Sequence, residues 1–229
     1  MYMGLMLISI VFTVIGMFLS GTLKRKFARY SRMPISSGLS GAEVAAKMLQ
    51  DNGITDVKIT QGQGMLTDHY NPQTKTVTLS PEVYQGRHVA AAAVAAHECG
   101  HAVQHARAYS MLQLRSALVP VVSFSAKIQQ YLFMLGLVMM GTLGSKTFLL
   151  IAIASFAVTT LFSLVTLPVE FDASRRALAW LNMSGMARGP EHDAAQDALK
   201  WAALTYVAAA AAALVQLLYL VSLFLGNRD

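Results

Sequence analysis

Two histidines and a glutamate, His97, Glu98 and His101, stand in the run Val-Ala-Ala-His-Glu-Cys-Gly-His-Ala-Val-Gln-His-Ala at residues 94–106. Residues four apart on an α-helix lie one above the other, roughly 5–6 Å apart at Cβ, so the two imidazoles would share the face needed to grip one metal ion. Glu98 is the next residue round the helix from His97, able to touch a water on that ion while pointing away from the ligand pair. In this H-E-x-x-H arrangement zinc serves as Lewis acid and the glutamate as general base towards the water. At this composition, with six His in 229 residues, chance would supply the pattern only about 0.003 times.

A catalytic zinc usually takes three protein ligands and a water, so one ligand must come from elsewhere. Glu170 and Asp172, in Leu-Pro-Val-Glu-Phe-Asp-Ala-Ser-Arg-Arg at 167–176, are the strongest candidates, and Glu170 ranks first because its longer arm reaches further from a neighbouring helix. The competing reading is an acid at a helix start, paired with Arg175 or Arg176. His105 would stand about 12 Å along the axis from His97, too far to share an ion with bonds of about 2 Å. Cys99 faces a different side of the helix and reads as a small packing residue. His69 reads as loop chemistry. His192 is a candidate to stabilise a developing oxyanion, with a solvated loop histidine as the equal alternative.

These residues need elements to hold them. Between His88 and Ala106 there is no proline and alanine dominates the approach, which predicts a helix starting near His88. Ser40 with Glu43 three residues later forms a capping box, and Gly53 supplies a stop, so a short amphipathic helix is expected over 41–52. Residues 55–60 and 76–79 read as strands joined as a hairpin, with Gly62, Gly64, Asn71 and Pro72 as turn formers and Lys75 at the tip. The free edge of a strand just before the metal helix could take an extended polypeptide by main-chain hydrogen bonding; a plain two- or three-stranded sheet covering the helix is the alternative. Ser80-Pro81-Glu82 starts a short helix that Gly86 breaks. Pro168 is expected to start a new helix with Glu170 in its first turn, and the chain restarts after Pro190 with Glu191, His192 and Asp193.

The composition is wrong for a soluble protein: 55% hydrophobic, 13% charged, and a mean hydropathy of +0.47. Residues 1–23, 147–169 and 201–227 carry no charge, and each matches the roughly 20 residues that cross a bilayer. A fourth block, 118–144, is interrupted by Lys127, Gln129 and Gln130. Lys127 would snorkel, line a cavity or sit at the interface. The organisation expected is a first transmembrane helix at 1–22, a cytoplasmic domain at 23–115, a transmembrane hairpin at 116–168, a cytoplasmic segment at 169–200 and a last transmembrane helix at 201–226. The basic cluster Lys24, Arg25, Lys26, Arg29 and Arg32 follows the first block instead of preceding it, which fits an uncleaved anchor, and residues 23–32 read as an amphipathic surface segment. Basic segments on the cytoplasmic side would leave both termini outside. The same asymmetry accounts for the net charge of +6 without nucleic acid, for which there is no motif. The single cysteine excludes an intramolecular disulfide and suits a cytoplasm-facing site.

The run at 97–105, which reads H-E-x-G-H-A-x-Q-H, and the segment at 167–174 resemble the YugP-type membrane zinc metallopeptidases. The likeness extends over Leu66-Thr67-Asp68-His69-Tyr70, the strand at Thr76 and the placement of the spans. More distantly the chain is similar to the HtpX and Ste24 gluzincins, whose glutamate ligand lies in an E-x-x-x-D segment; here Ser174 stands at the position of that Asp. The resemblance implies zinc held by His97, His101 and Glu170, with Glu98 as the base. The expected fold is mainly α, with about four transmembrane helices and a small α+β, gluzincin-like cytoplasmic domain. The expected function is a membrane-anchored zinc endopeptidase acting on polypeptides, its partners being substrate and the lipid bilayer, with a homo-oligomer or gating membrane partner left open. The rivals are a site-2-type intramembrane protease, for which no L-D-G segment is present, and a non-catalytic zinc-binding scaffold or partner subunit.

Overall fold

The computed structural model describes residues 2–65, 67–138 and 146–226; Leu66 and the tip of the expected transmembrane hairpin lie outside them. Among the described residues there are seven helices: α1 (Tyr2–Tyr30), α2 (Gly41–Asp51), α3 (Pro81–Gln85), α4 (Val89–Ala106), α5 (Ser110–Val138), α6 (Lys146–Met183) and α7 (Pro190–Gly226). Three short strands, β1 (Lys58–Gln61), β2 (His69–Asn71) and β3 (Thr76–Leu79), form one sheet. The chain divides into two compact units, one of Met1–Phe18, Leu114–Leu167 and Thr205–Asp229, the other of Leu19–Gln113 and Pro168–Leu204.

The second unit is built round α4. Its first two turns are mostly alanine, and Ala90, Ala91, Ala92, Ala93, Ala95 and Ala96 are buried, so neighbouring backbones can come close. α2 lays Val44, Ala45, Met48 and Leu49 against it. The expected capping box is present: Glu43 N–H donates to Ser40 Oγ (3.3 Å) and Ser40 N–H to Glu43 Oε2 (2.7 Å). Gly53 then takes a left-handed φ of +70°, which ends the helix cheaply because glycine has no Cβ to clash. At this same end, Trp180 Nε1 donates to Asp51 Oδ2 (3.1 Å), tying α2 to α6. Tyr30 and Lys26 both reach Asp197, at 2.6 and 2.7 Å, tying the end of α1 to the start of α7.

The sheet corrects the expected hairpin. Its order is β1-β3-β2, with β1 parallel and β2 antiparallel to β3. The tight turn at Asn71–Lys75 does close a hairpin, its Asn71 Oδ1 accepting from the N–H groups of Gln73 and Thr74, but the partner it delivers is the three-residue β2. β1 joins on the far side of β3 because the long connection through β2 lets it return parallel. β3 alternates as a half-buried strand should, Val77 and Leu79 inward and Thr76 and Thr78 outward. Since β3 is the central strand, it has no free edge; the edges belong to β1 and β2.

Two expected breaks are absent. α6 runs through Pro168 without ending. A proline inside a helix removes one i→i−4 bond and crowds the preceding turn, and here the cost is met by the burial of Val169, Ala173 and Ala177, all at 0% exposure. α1 likewise continues through Lys24, Arg25, Lys26 and Arg29 to Tyr30, so the first apolar block and most of the basic cluster share one helix. Three helices among the described residues are long and apolar enough to cross a membrane, in Met3–Tyr30, Leu149–Met183 and Pro190–Gly226; the expected fourth, on α5, is not among them. In the first unit, Met3, Met17 and Phe18 are more than half exposed, and Thr160 Oγ1 donates to Ala213 O (3.1 Å).

Candidate metal centre

α4 starts where the sequence implies. His88 is its N-cap, in extended conformation, and its Nδ1 accepts the Ala91 N–H at 3.0 Å, satisfying one of the orphan donors of the first turn. Two turns on, His97 and His101 stack one above the other, ring centroids 4.9 Å apart and planes at 83°. The facing residue is Glu170 on α6. Its Oε2 lies 3.2 Å from His97 Nε2 and 3.7 Å from His101 Nε2, and one ligand atom from each of the three side chains falls within 4.8 Å of the others. The Glu170 side chain is 3% exposed and those of His97 and His101 13% and 9%.

The spacing suits an ion better than it suits a hydrogen-bonded triad. Ligand atoms about 2.0–2.2 Å from a tetrahedral centre stand about 3.3–3.6 Å from one another. The two observed separations bracket that range, and at 3.7 Å the second is too long for a good hydrogen bond. Two imidazoles and a carboxylate are also the donor set of a known class of catalytic zinc sites, so the residues present fit the metal. Electrostatics point the same way. Burial disfavours a charged His101, yet the Glu170 carboxylate beside it outweighs that and raises its affinity for a proton. A pocket whose carboxylate favours a proton on the facing imidazole favours a cation for the same reason.

The remaining ring nitrogens are occupied. His97 Nδ1 lies 3.1 Å from Ser174 Oγ and His101 Nδ1 3.0 Å from Gln104 Oε1. Gln104 is fully buried, and its Nε2 donates to Val169 O (2.8 Å) and Asp172 Oδ2 (2.9 Å). Asp172 is therefore not at the triad: Gln104, Arg175 and Arg176 hold it. Gly100 lets the two helices meet, since a Cβ there would stand 2.6 Å from the Ala173 carbonyl oxygen.

Glu98 is buried beside the histidines at 8% exposure. Cys99 packs away from them, its Sγ 3.6 Å from Ala45 O and its thiol pushed up by burial. His105 meets the Tyr70 hydroxyl at 2.8 Å, and His69 Nδ1 meets Thr67 O at 2.7 Å. The triad does not include His192; its neighbour Glu191 binds Ser36. Sequence reasoning missed Gln104, although its place one turn beyond His101, at i+3, was a usable signal.

Residues 5–225 match the family model described as "Putative neutral zinc metallopeptidase". The chain belongs to that family. It is also 43% identical, over 207 residues and 90% of each chain, to the Bacillus subtilis (strain 168) protein named "Putative membrane protease YugP". No solved structure matches it.

Proposed function

We propose that this protein is a membrane-anchored zinc endopeptidase whose metal ligands are His97, His101 and Glu170. The observation that carries the reading is the convergence of three ligand atoms, two from α4 and one from α6, at separations of 3.2 and 3.7 Å. When bound there, zinc supplies Lewis acidity that polarises a carbonyl and acidifies water. Glu98, adjacent in sequence to His97, takes a proton from the attacking water and passes it to the leaving amine. Ser174 and Gln104 keep the two rings aimed at Glu170, and the buried setting of the three ligands limits competing water. The exposed edge of β1 or β2 offers main-chain groups to an extended polypeptide, which binds it with little sequence demand. α5 serves as a fourth span, and the unit holding α4 faces the cytoplasm, the side positive-inside bias favours for its ten Lys and Arg of residues 21–113.

The test is a pair of variants of the full chain. Glu98→Gln is expected to keep zinc and stop cleavage of an unfolded protein substrate, whereas His97→Ala loses both. Cleavage by Glu98→Gln at the wild-type rate, or a wild-type chain that purifies without binding zinc, refutes the reading. Sidedness is read separately by labelling Lys58→Cys in intact membranes, because Cys99 is too buried to report it.

A further inference from the structure

His101 is held differently from His97, and the difference lies in what an amide can and cannot do. A hydroxyl donates or accepts, so Ser174 accommodates either tautomer of His97. A carboxamide has one accepting end and one donating end. In Gln104 the donating end faces two acceptors, the Val169 carbonyl and the Asp172 carboxylate, at 2.8 and 2.9 Å. Turned round, its oxygen would press on both of them in a fully buried place with no water to intervene. Asp172 is kept an acceptor by Arg175 and Arg176. The orientation is therefore forced, the accepting end must face His101, and Nδ1 of that ring must be the donor.

We propose that Gln104 is a positioning residue: its carboxamide, oriented by two acceptors on α6, dictates that Nδ1 of His101 carries the proton and leaves Nε2 open to the metal. Both acceptors flank Glu170, one residue before it and two after. The same amide therefore ties the ring of one ligand to the helix turn that carries another. Only when α6 is seated is the amide fixed, and only then is His101 presented with the correct nitrogen. Outer partners of this kind change metal affinity by roughly 10–100-fold when removed.

The inference rests on the metal reading above, and its test separates the two. The full chain in detergent is titrated with zinc against a competing chelator, and the hydrogen-bonded His101 Nδ1–H is followed by 1H–15N NMR with and without zinc. Gln104→Met is expected to weaken zinc binding by roughly 10–100-fold and to abolish that resonance. Val103→Ala, an equally buried change on the same helix, lowers stability but leaves both readouts alone. In the zinc-loaded wild type the 15N shifts of the His101 ring are expected to show a protonated Nδ1 and an unprotonated Nε2. Wild-type zinc affinity in Gln104→Met, or an Nδ1–H resonance unchanged by it, overturns the proposal, as does a wild-type His101 ring that carries its proton on Nε2 when zinc is bound. If Gln104→Met does not fold, the wild-type 15N shifts decide, and a proton on Nε2 is the refuting result. A wild-type chain that binds no zinc refutes the metal reading, and the metal-free resonance then decides the role of Gln104 alone.

Discussion

Gly100→Ala sets two effects of opposite sign against each other. Inside a helix alanine is better than glycine by about 1 kcal/mol, so propensity alone predicts a more stable protein. The added methyl, however, would stand 2.6 Å from the Ala173 carbonyl oxygen and 3.1 Å from the Ala173 carbonyl carbon and Cα, where ordinary contact begins at 3.4 Å. Those are backbone atoms and cannot rotate aside, so α6 must withdraw by about 0.8 Å or α4 must bend, and overpacking of this kind costs about 1–3 kcal/mol. The clash is expected to win by up to about 2 kcal/mol. The effect on the metal is larger. Carried along with α6, Glu170 would retreat from 3.2 and 3.7 Å to about 4.0 and 4.5 Å from the imidazoles, well outside the tolerance of about 0.2 Å on metal-ligand bonds. Zinc affinity should then fall by at least tenfold, as the weakest of outer-partner losses do. The assay is chelator competition on the full chain, paired with thermal unfolding of the metal-free protein. A Gly100→Ala variant that is more stable than wild type and binds zinc as tightly would show that the helices are not held at contact there.

Three further outcomes are expected. Glu170→Ala removes a proposed ligand outright, so zinc affinity should drop by more than the roughly 100-fold of an outer-partner change, while helix content by circular dichroism stays at the wild-type level. His88→Ala removes the N-cap of α4 and should cost about 0.5–2 kcal/mol in chemical unfolding without altering zinc affinity. Burial holds the His88 proton affinity below the usual imidazole value despite Glu82, so the folded state keeps the ring neutral and able to accept from Ala91. The stability this gives is present above about pH 6.5 and is lost as pH falls through the lower, folded value; the gap between wild type and His88→Asn, followed by unfolding from pH 7 to 5, should change accordingly, and a constant gap would be contrary to it.

Much of the local structure was legible because the signals were local. Ser40 and Glu43 announce a cap, Ser80 and Pro81 a helix start, and the alternation of Val77 and Leu79 with Thr76 and Thr78 a half-buried strand, each by a rule spanning a few residues. β2 was not legible, because His69-Tyr70-Asn71 has no apolar alternation and exists as a strand only through its pairing with β3. The parallel placement of β1 follows from that pairing and was hidden with it. Pro168 misled for a related reason: its penalty is local, whereas the packing of Val169, Ala173 and Ala177 that overrides it is tertiary. The approach of Glu170 to the histidines could be anticipated from side-chain length and donor chemistry, but the hold of Gln104 on that arrangement could not, since its meaning depends on two acceptors more than sixty residues away.

What the structure adds to the motif is a second pair beside the first. His97 and His101 occupy one stripe of α4, and Gly100 and Gln104, also four apart, occupy the next. The first pair supplies ring nitrogens; the second sets where α6 lies against them. Gly100 fixes the distance, by letting the Ala173 backbone come to contact, and Gln104 fixes the register, by grasping the backbone and side chain on either side of Glu170. Both are needed because imidazole and carboxylate arms are short and ligand geometry tolerates only a few tenths of an ångström, while packing between apolar helices alone leaves sliding cheap. It follows that changes at the two positions act on a shared coordinate, the seating of α6. A double change should therefore cost less than the sum of its parts, since a helix already displaced by one has little register left for the other to lose.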